Sequence, residues 1–257
     1  MNTREMSTLV ELGPALAVVL VLLAVLAATV SWRAGLGLTR DVLVASARAA
    51  VQLALVALVL VAIIESLALS VLFVLSMLVI ASVTAGRRLT RTSAAWWAGV
   101  PVALGAGPVV ALLLVSGVVP LSGIAIVPIA GILIGGAMTG TALAGRRALD
   151  SLVERHGEYE AGLAIGLVSR DAAIEVCRPP ASLGLVPALD QTRTVGLVAL
   201  PGAFVGTLLG GATPVEAGAV QVLILVALLA VQSLAIVATT ELVARGRLVS
   251  GHAVHVE

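Results

Sequence analysis

An aspartate and an arginine, Asp190 and Arg193, stand three residues apart just before an apolar run that glycine and proline interrupt. Side chains at this spacing lie on one face of a helix and can form an ion pair. An exposed pair contributes only about 0–1 kcal/mol. Two interpretations therefore stay open: a solvated pair at the membrane surface, or a joint that transmits motion into the membrane. The nearby Pro187 is typical of a helix start.

A second polar pair, Arg48 and Gln52, lies four residues apart inside an apolar stretch. A charge at membrane depth costs about 2.5–3.5 kcal/mol on insertion scales, so it should face protein or water. The long arginine stem can also snorkel to the nearby membrane surface. We keep both hypotheses: snorkelling or a structural bond, and a place on a translocation path. Gln221 and Gln232 are weaker candidates for the same roles.

Metal-ligating side chains are few and scattered. The three histidines are His156, in a polar segment, and His252 and His255, in the C-terminal tail. Transition-metal sites need His, Cys, Met or carboxylate ligands that converge, and no apolar stretch contains such a cluster. Metal ligands therefore stay unassigned. No pattern predicts catalytic residues, a bound cofactor or a nucleic-acid-binding patch.

The composition predicts an integral membrane protein. Apolar residues make up 60% of the chain and charged residues 11%, and the mean hydropathy is +1.16. Several apolar stretches reach the roughly 20 residues that a helix needs to cross a hydrocarbon core of about 30 Å. We predict an all-α, polytopic protein with one membrane domain over residues 1–257 in the cell membrane. The seven predicted spans are 12–31, 42–64, 67–85, 95–118, 121–145, 195–212 and 217–242.

The arginines predict the orientation of these spans. Thirteen of them fall in the first, third and fifth connections and in the C-terminal tail, whereas the opposite side holds only Arg4. The thirteen are Arg33, Arg40, Arg87, Arg88, Arg91, Arg146, Arg147, Arg155, Arg170, Arg178, Arg193, Arg245 and Arg247. Because basic residues accumulate on the cytoplasmic side, we expect the N-terminus outside and the C-terminus in the cytoplasm.

The fifth connection, 146–193, is too long for a simple turn. Its pattern predicts one amphipathic helix that ends at Gly157 and a second, over 158–176, that Pro179 and Pro180 follow. These helices either lie on the lipid surface or form a docking surface for a soluble partner. In the docking hypothesis, the residues that couple the chain to its partner are Arg155, Arg170, Arg178, Asp190 and Arg193.

Glycines and prolines interrupt two of the predicted spans. In the fifth span they are Pro128, Gly131, Gly135, Gly136 and Gly140, and in the sixth they include Pro201, Gly202 and Gly206. Small residues let helix backbones approach closely in lipid, and a proline inside a helix favours a kink. Three interpretations stay open for these residues: packing within one chain, a dimer interface, or the wall of a substrate path.

The chain contains fifteen basic residues of the Lys and Arg types, and all of them are arginine. A Walker A loop needs a lysine that reaches the β- and γ-phosphates of ATP. This polypeptide therefore has no such loop and is not itself an ATPase, so any ATP-driven role requires a second polypeptide.

The segments TVGLVALPG, at 194–202, and GATPVEA, at 211–217, resemble the iron-export ABC transporter permease family (FetB-like), whose relatives include a plant permease linked to aluminium tolerance. The resemblance is strongest over 128–216 and continues more weakly from about residue 41 to the last span. It implies a transmembrane subunit that exports iron or another metal, a cytosolic ABC ATPase as partner, and two copies of the permease in lipid. It assigns no cofactor to this chain, because the partner uses the ATP.

Two other functions stay open from the residues. The chain can be an ABC permease for a sugar nucleotide or a lipid-like solute, because apolar cavity walls suit such cargo as well. It can also be an ATP-independent secondary carrier or a membrane assembly protein. An adjacent ATPase gene would separate the ABC functions from the last one.

Overall fold

The computed structural model describes residues 13–249, and these residues are helical almost throughout. The α-helices are α1 (Pro14–Arg33), α2 (Thr39–Glu65), α3 (Leu67–Leu89), α4 (Gly99–Val115), α5 (Gly123–Glu154), α6 (His156–Ala164), α7 (Ser169–Ser182), α8 (Val186–Thr194), α9 (Gly202–Leu209) and α10 (Pro214–Ala244). Short 3-10 helices cover Ser93–Ala98 and Leu183–Leu185. The prediction of an all-α protein is confirmed for this part of the chain.

Within the described range, 6 helices are long and apolar enough to cross a membrane. They are α1, α2, α3, α5, α10 and the continuous stretch Ser93–Val115 that ends in α4. The structure does not confirm a seventh helix of spanning length. The predicted span 195–212 contains only α9, whose 8 residues rise about 12 Å against a hydrocarbon core of about 30 Å. Its glycines and Pro201 divide the segment.

The chain divides into two compact units, Met1–Ala62 and Ile63–Glu257. The described part of the first unit consists of α1 and most of α2. They are joined by a turn in which Gly35 and Gly37 have φ values of +66° and +71°, a backbone region that favours glycine. The second unit contains all the other helices, and it holds the residues on which the functional argument depends.

In the second unit, α5 and α10 pack side by side and run in the same direction. A Cβ built on Gly136 would lie 2.5 Å from Cδ2 of Leu228, and one built on Gly145 would lie 3.2 Å from Cγ2 of Thr239. Residue numbers thus rise together along both helices. The missing side chains at these glycines allow the close approach.

The neighbouring helices α3 and α4 have opposite directions. A Cβ on Gly131 would meet Met77 at 2.8 Å, and one on Gly145 would meet Leu89 at 2.6 Å, so α3 runs parallel to α5. Helix α4 runs back along α3, because its first residue, Gly99, faces Ser82. Three of the four packed helices, α3, α5 and α10, therefore point the same way.

The helices of the predicted fifth connection, 146–193, differ from the prediction in four respects. Helix α5 continues through the predicted end of the fifth span to Glu154, and Gly157 lies inside α6 instead of ending a helix. The predicted helix 158–176 is two helices, because the chain turns at Gly166, whose φ is +94°. Helix α7 also continues through Pro179 and Pro180 to Ser182. We call residues 146–182 the helical cap.

A close approach between α4 and α10 in the core yields a test of this packing. A Cβ on Gly105 of α4 would lie 2.8 Å from the carbonyl oxygen of Val231 and 3.0 Å from Cβ of Ala235. We expect Gly105→Ala to lower the free energy of unfolding by about 1–3 kcal/mol, because overpacking forces the helices apart. Denaturation of the purified protein in mixed micelles measures this change.

The matched control is Gly135→Ala in α5, because a Cβ there meets nothing within 4 Å. That variant should be neutral or slightly more stable, since alanine favours a helix over glycine by up to about 1 kcal/mol. Equal stabilities for the two variants would contradict the helix arrangement.

Candidate functional site

The helical cap is attached to the membrane bundle mainly through α7. This helix is amphipathic, and its inward residues Ala172, Ala173, Ile174, Val176, Cys177 and Ala181 are all buried. The thiol of Cys177 lies 3.6 Å from the carbonyl oxygen of Ala148 on α5. Burial raises the pKa of this thiol to about 11. The cap is thus packed onto α5 and α10 as part of one apolar core.

An arginine explains why two prolines do not end α7. Pro180 has no N–H to donate to the carbonyl of Val176, which would leave that oxygen without its helical partner. The Nη1 atom of Arg155 donates to this oxygen at 3.3 Å. Arg155 also donates from Nε to Glu158 at 2.7 Å, and this bond raises the pKa of Arg155 and lowers that of Glu158. Arg155 therefore stabilises the cap internally.

A second arginine joins the start of α7 to the end of α10. Arg170 donates to both carboxylate oxygens of Glu241, at 2.7 Å from Nε and 2.6 Å from Nη2. It also pairs with Asp171 at 2.6 Å, and Arg245 donates to Glu241 at 2.5 Å. The bonds to Glu241 and Asp171 raise the pKa of Arg170. Bidentate pairs of this kind fix orientation, so the cap and α10 should move together.

The remaining predicted coupling residues lie on the surface. Arg178 and Glu175 form a 3.8 Å pair with both side chains more than 60% exposed. Asp190 and Arg193 form the expected pair in α8, at 3.5 Å and with side-chain exposures of 60% and 71%. The helix start that Pro187 predicts is observed, because α8 begins at Val186. The coupling roles of these residues stay predictions.

Sequence reasoning missed an exposed apolar turn between α6 and α7, which we call the apolar tip (residues 163–168). It exposes Ile165 by 82% and Val168 by 63%, although it lies among charged helices. Gly166 allows the turn, because its amide donates to Leu163 at 2.9 Å while its φ is positive. The available signal is the apolar run LAIGLV after the polar α6, which falls inside the predicted helix 158–176.

Between α7 and α10 the chain forms a segment that we call the return segment (residues 183–213). At its start, a Cβ on Gly184 would lie 3.3 Å from Ala144 and 3.4 Å from Ile236. At its end, Thr213 caps α10 in a capping box with Glu216. The stretch of α10 from Ile236 to Pro214 is about 33 Å long at 1.5 Å per residue. The return segment therefore covers this distance against the direction of α10.

Within the return segment, α9 is fastened to α10 by a buried glutamine. Gln221 is 3% exposed, and its Oε1 accepts a hydrogen bond from the amide of Phe204 at 3.2 Å. This amide is one of the first N–H groups of α9, which have no partner inside their own helix. Gln221 is one of the predicted polar positions, and the structure adds that its partner is the backbone of α9.

A tight turn separates α8 from α9. Leu197 and Val198 donate their amides to the carbonyl of Thr194 at 3.2 and 3.0 Å, and Gly196, whose φ is +79°, donates to Ala199 at 2.9 Å. The side chains of Leu197 and Val198 are 88% and 82% exposed. Pro201 is the N-cap residue of α9.

The small residues of the two predicted spans divide into packed and open positions. Gly136 and Gly140 pack within the chain, against Leu228 and Gln232 of α10, and Gly131 faces Met77 of α3. Gly135, Gly202 and Gly206 have no atom within 4 Å of a built Cβ. Helix α5 runs through Pro128, which is exposed. Packing within one chain is thus observed for part of the set, and the roles of the open positions stay predictions.

The other predicted residues lie on α2 and in the C-terminal tail. Arg48 and Gln52 are exposed on α2, which buries no residue, so their roles stay predictions. His252 and His255 lie outside the described residues. Among residues 13–249, no group of three or more His, Cys, Asp and Glu side chains is arranged to hold a metal ion.

The bond between Arg155 and the proline-containing helix is testable through the single cysteine. In the folded protein a maleimide should label Cys177 slowly at neutral pH, because the thiol is buried and its pKa is raised to about 11. Arg155→Met leaves the Val176 carbonyl unsatisfied, which costs about 1–3 kcal/mol. We expect labelling to become about tenfold faster, and mass spectrometry of the intact protein measures the rate.

Arg178→Met is the matched control, because its side chain is 67% exposed and, within residues 13–249, forms an ion pair only with Glu175, at 3.8 Å. Its labelling rate should equal that of the wild type. Equal rates in the wild type and Arg155→Met would contradict a stabilising role for Arg155.

Comparisons with known proteins agree with the membrane architecture. Residues 14–247 match the family described as "Uncharacterised protein family (UPF0014)". The chain is 33% identical over 220 residues to the UPF0014 membrane protein STAR2 of Oryza sativa subsp. japonica, covering 84% of this chain and 77% of the relative. It is 33% identical to the protein ALUMINUM SENSITIVE 3 of Arabidopsis thaliana, covering 82% and 78%.

A bacterial relative carries a functional name. The probable iron export permease protein FetB of Escherichia coli (strain K12) is 30% identical over 223 residues, which cover 86% of this chain and 85% of the relative. No solved structure matches this chain. The family match covers most of the chain, and the multi-pass helical bundle agrees with a membrane location. The chain belongs to the UPF0014 family of membrane proteins, and it is related to a probable iron export permease.

Proposed function

We propose that this chain is the transmembrane subunit of an ABC transporter that exports iron or another metal with a separate cytosolic ATPase. The observation that carries the proposal is its relationship to a probable iron export permease across 85% of that protein's length. The absence of lysine from the chain supports a separate ATPase, since a Walker A loop requires this residue. Two copies of the permease would pair with two ATPases.

The return segment provides the seventh membrane crossing, in the form of a broken helix. Helices α5 and α10 point the same way, so the chain between them must come back across the bundle. The distance of about 33 Å along α10 is close to the hydrocarbon thickness. With this crossing, the arginine-rich ends face the cytoplasm, the N-terminus lies outside and the C-terminus lies inside.

The turn between α8 and α9 then lies at membrane depth. Irregular backbone is tolerated there only where it is buried in protein or lines a water-filled cavity. The exposed side chains of Leu197 and Val198 support contact with the second copy of the permease, and the open positions Gly202 and Gly206 leave room beside them. The broken crossing would thus form part of the wall between the two copies.

The helical cap is the docking site for the ATPase in this proposal. The apolar tip lies on its surface, with Ile165 82% exposed, and exposed apolar patches mark protein interaction sites. Movement of the tip would pass through the Arg170–Glu241 pair into α10. It would then reach α9 through Gln221.

Reconstituted vesicles test the function. The chain and its candidate ATPase are inserted together, and ATP hydrolysis and iron movement are measured with and without each protein. ATP-dependent iron movement that needs both proteins would support the proposal. Stimulated hydrolysis without iron movement would exclude iron as cargo and direct the assay to sugar nucleotides and lipid-like solutes. Failure of the chain to change ATP hydrolysis would contradict the pairing and favour a secondary carrier.

Substitution of the apolar tip separates docking from folding. Ile165→Asp places a charge on a side chain that is 82% exposed, so the fold should survive. Because loss of an interface anchor costs about 2 kcal/mol or more, we expect at least about tenfold weaker binding of the ATPase. Titration of permease-stimulated ATP hydrolysis measures the binding.

Val153→Asp is the control, because Val153 is also an exposed aliphatic residue of the cap, at 49%. It should bind the ATPase as the wild type does. Equal weakening by both substitutions would argue against the tip as the anchor.

If the Gln221–Phe204 hydrogen bond couples α10 to α9, its loss should reduce transport without reducing ATP hydrolysis. Gln221→Leu leaves the amide of Phe204 without its acceptor, at a cost of about 1–3 kcal/mol. We expect ATP hydrolysis to remain within about twofold of wild type while transport falls about tenfold. Gln221→Glu keeps an acceptor oxygen and should restore part of the transport. If Gln221→Leu transports at the wild-type rate, Gln221 does not couple α10 to α9.

A further inference from the structure

A groove lies between α3 and the chain that leads into α4, and no residue of the helical cap or the return segment lines it. Two close contacts join α3 to the following chain beside the groove. At Gly86 the helix leaves no room for a Cβ beside the carbonyl of Ala95, and a Cβ on Gly99 would meet Ser82 at 3.4 Å. The groove has a volume of about 390 Å³ and is open to the outside of the protein.

The walls of the groove change from apolar to charged along its length. Val79, Val83 and Arg87 follow one another at four-residue steps on α3, so they line one face of the helix. The opposite wall includes Trp96, which is 67% exposed, and Ala103 of α4. The hydroxyl of Ser82, which also lines the groove, already donates to the carbonyl of Leu78 at 2.7 Å. The groove therefore offers a hydrocarbon slot that ends at a guanidinium.

The charge at this end of the groove is not neutralised within the described residues. Among residues 13–249, no carboxylate forms an ion pair with Arg87, Arg88 or Arg91. In contrast, Arg155 and Arg170 of the helical cap each pair with a carboxylate. A fourth guanidinium is held close by, because Nε of Arg146 donates to the carbonyl of Arg88 at 2.9 Å.

We propose that this groove binds one anionic glycerophospholipid from the leaflet at the arginine-rich end of the bundle. An acyl chain lies along Val79 and Val83, and the phosphate contacts Arg87. Trp96 lies at the level of the headgroup, where tryptophan rings are favoured. Guanidinium groups bind phosphate oxygens through paired hydrogen bonds, and a net negative headgroup offsets the neighbouring arginines. The bound lipid would hold the Ser93–Ala98 turn against α3.

Tryptophan fluorescence gives a direct test, because two of the three tryptophans, Trp96 and Trp97, lie at this end of α4. The full-length protein with Trp32→Phe is reconstituted in phosphatidylcholine bilayers. A minor fraction of either phosphatidylglycerol or phosphatidylcholine with brominated acyl chains is then added as quencher. An arginine near the surface attracts an anionic lipid by about 1 kcal/mol, so we expect quenching by the phosphatidylglycerol at about fivefold lower mole fraction.

Two variants separate a defined site from general attraction. Arg87→Gln should abolish the preference for phosphatidylglycerol, while Arg33→Gln, which removes the same charge elsewhere, should keep it. Ala103→Phe fills the groove and should reduce quenching by both lipids. The proposal is overturned by an absent preference in the parent protein, by equal loss in Arg33→Gln, or by unchanged quenching in Ala103→Phe.

Discussion

Helices α5 and α10 pack side by side and point in the same direction, and the rest of the functional architecture depends on this arrangement. Glycines on α5 allow the contact with Leu228 and Thr239. Because two consecutive long helices cannot be parallel without a return path, residues 183–213 must cover the distance between the end of one and the start of the other. Lipid provides no partners for backbone N–H and C=O groups, so the return path must obtain them from protein or water. Gln221 provides one such partner for α9.

The helical cap also contains backbone groups that need a hydrogen-bond partner outside their own helix. A helix that contains Pro179 and Pro180 loses two backbone donors, and Arg155 compensates one of the carbonyls by bonding to Val176. Arg170 then joins this helix to Glu241 on α10. These two arginines are structural ties within the chain, whereas the apolar tip is exposed. A partner that pushes on the tip would thus act on a unit tied to α10 by the Arg170–Glu241 pair, and Gln221 of α10 accepts a hydrogen bond from the backbone of α9.

Much of the fold was predictable from the sequence, because apolar length is a local property. The six long helices correspond to predicted spans, and Pro187 correctly predicted the start of α8. The passage of α7 through two prolines depends on a contact with a residue far away in the chain, Arg155 with Val176. The break at Gly166 is a local turn with a positive φ, which a glycine in an apolar run does not by itself specify. At the candidate site, Gln221 stands out in the sequence as a polar residue in an apolar span. Its partner, the amide of Phe204, is not predictable, because it lies on a different helix. The sequence does not predict the apolar tip, because its residues fall inside the predicted helix 158–176.

The central claim is that the return segment crosses the membrane as a broken helix. Its most direct test uses Cys177→Ser protein with one new cysteine, either Glu175→Cys on the cap or Val215→Cys at the start of α10. Both side chains are exposed, at 69% and 82%. A maleimide that does not cross membranes is added to sealed vesicles of known orientation. The account predicts labelling of the two cysteines from opposite sides. Labelling of both from the same side would show that the chain does not cross between them and would contradict the account.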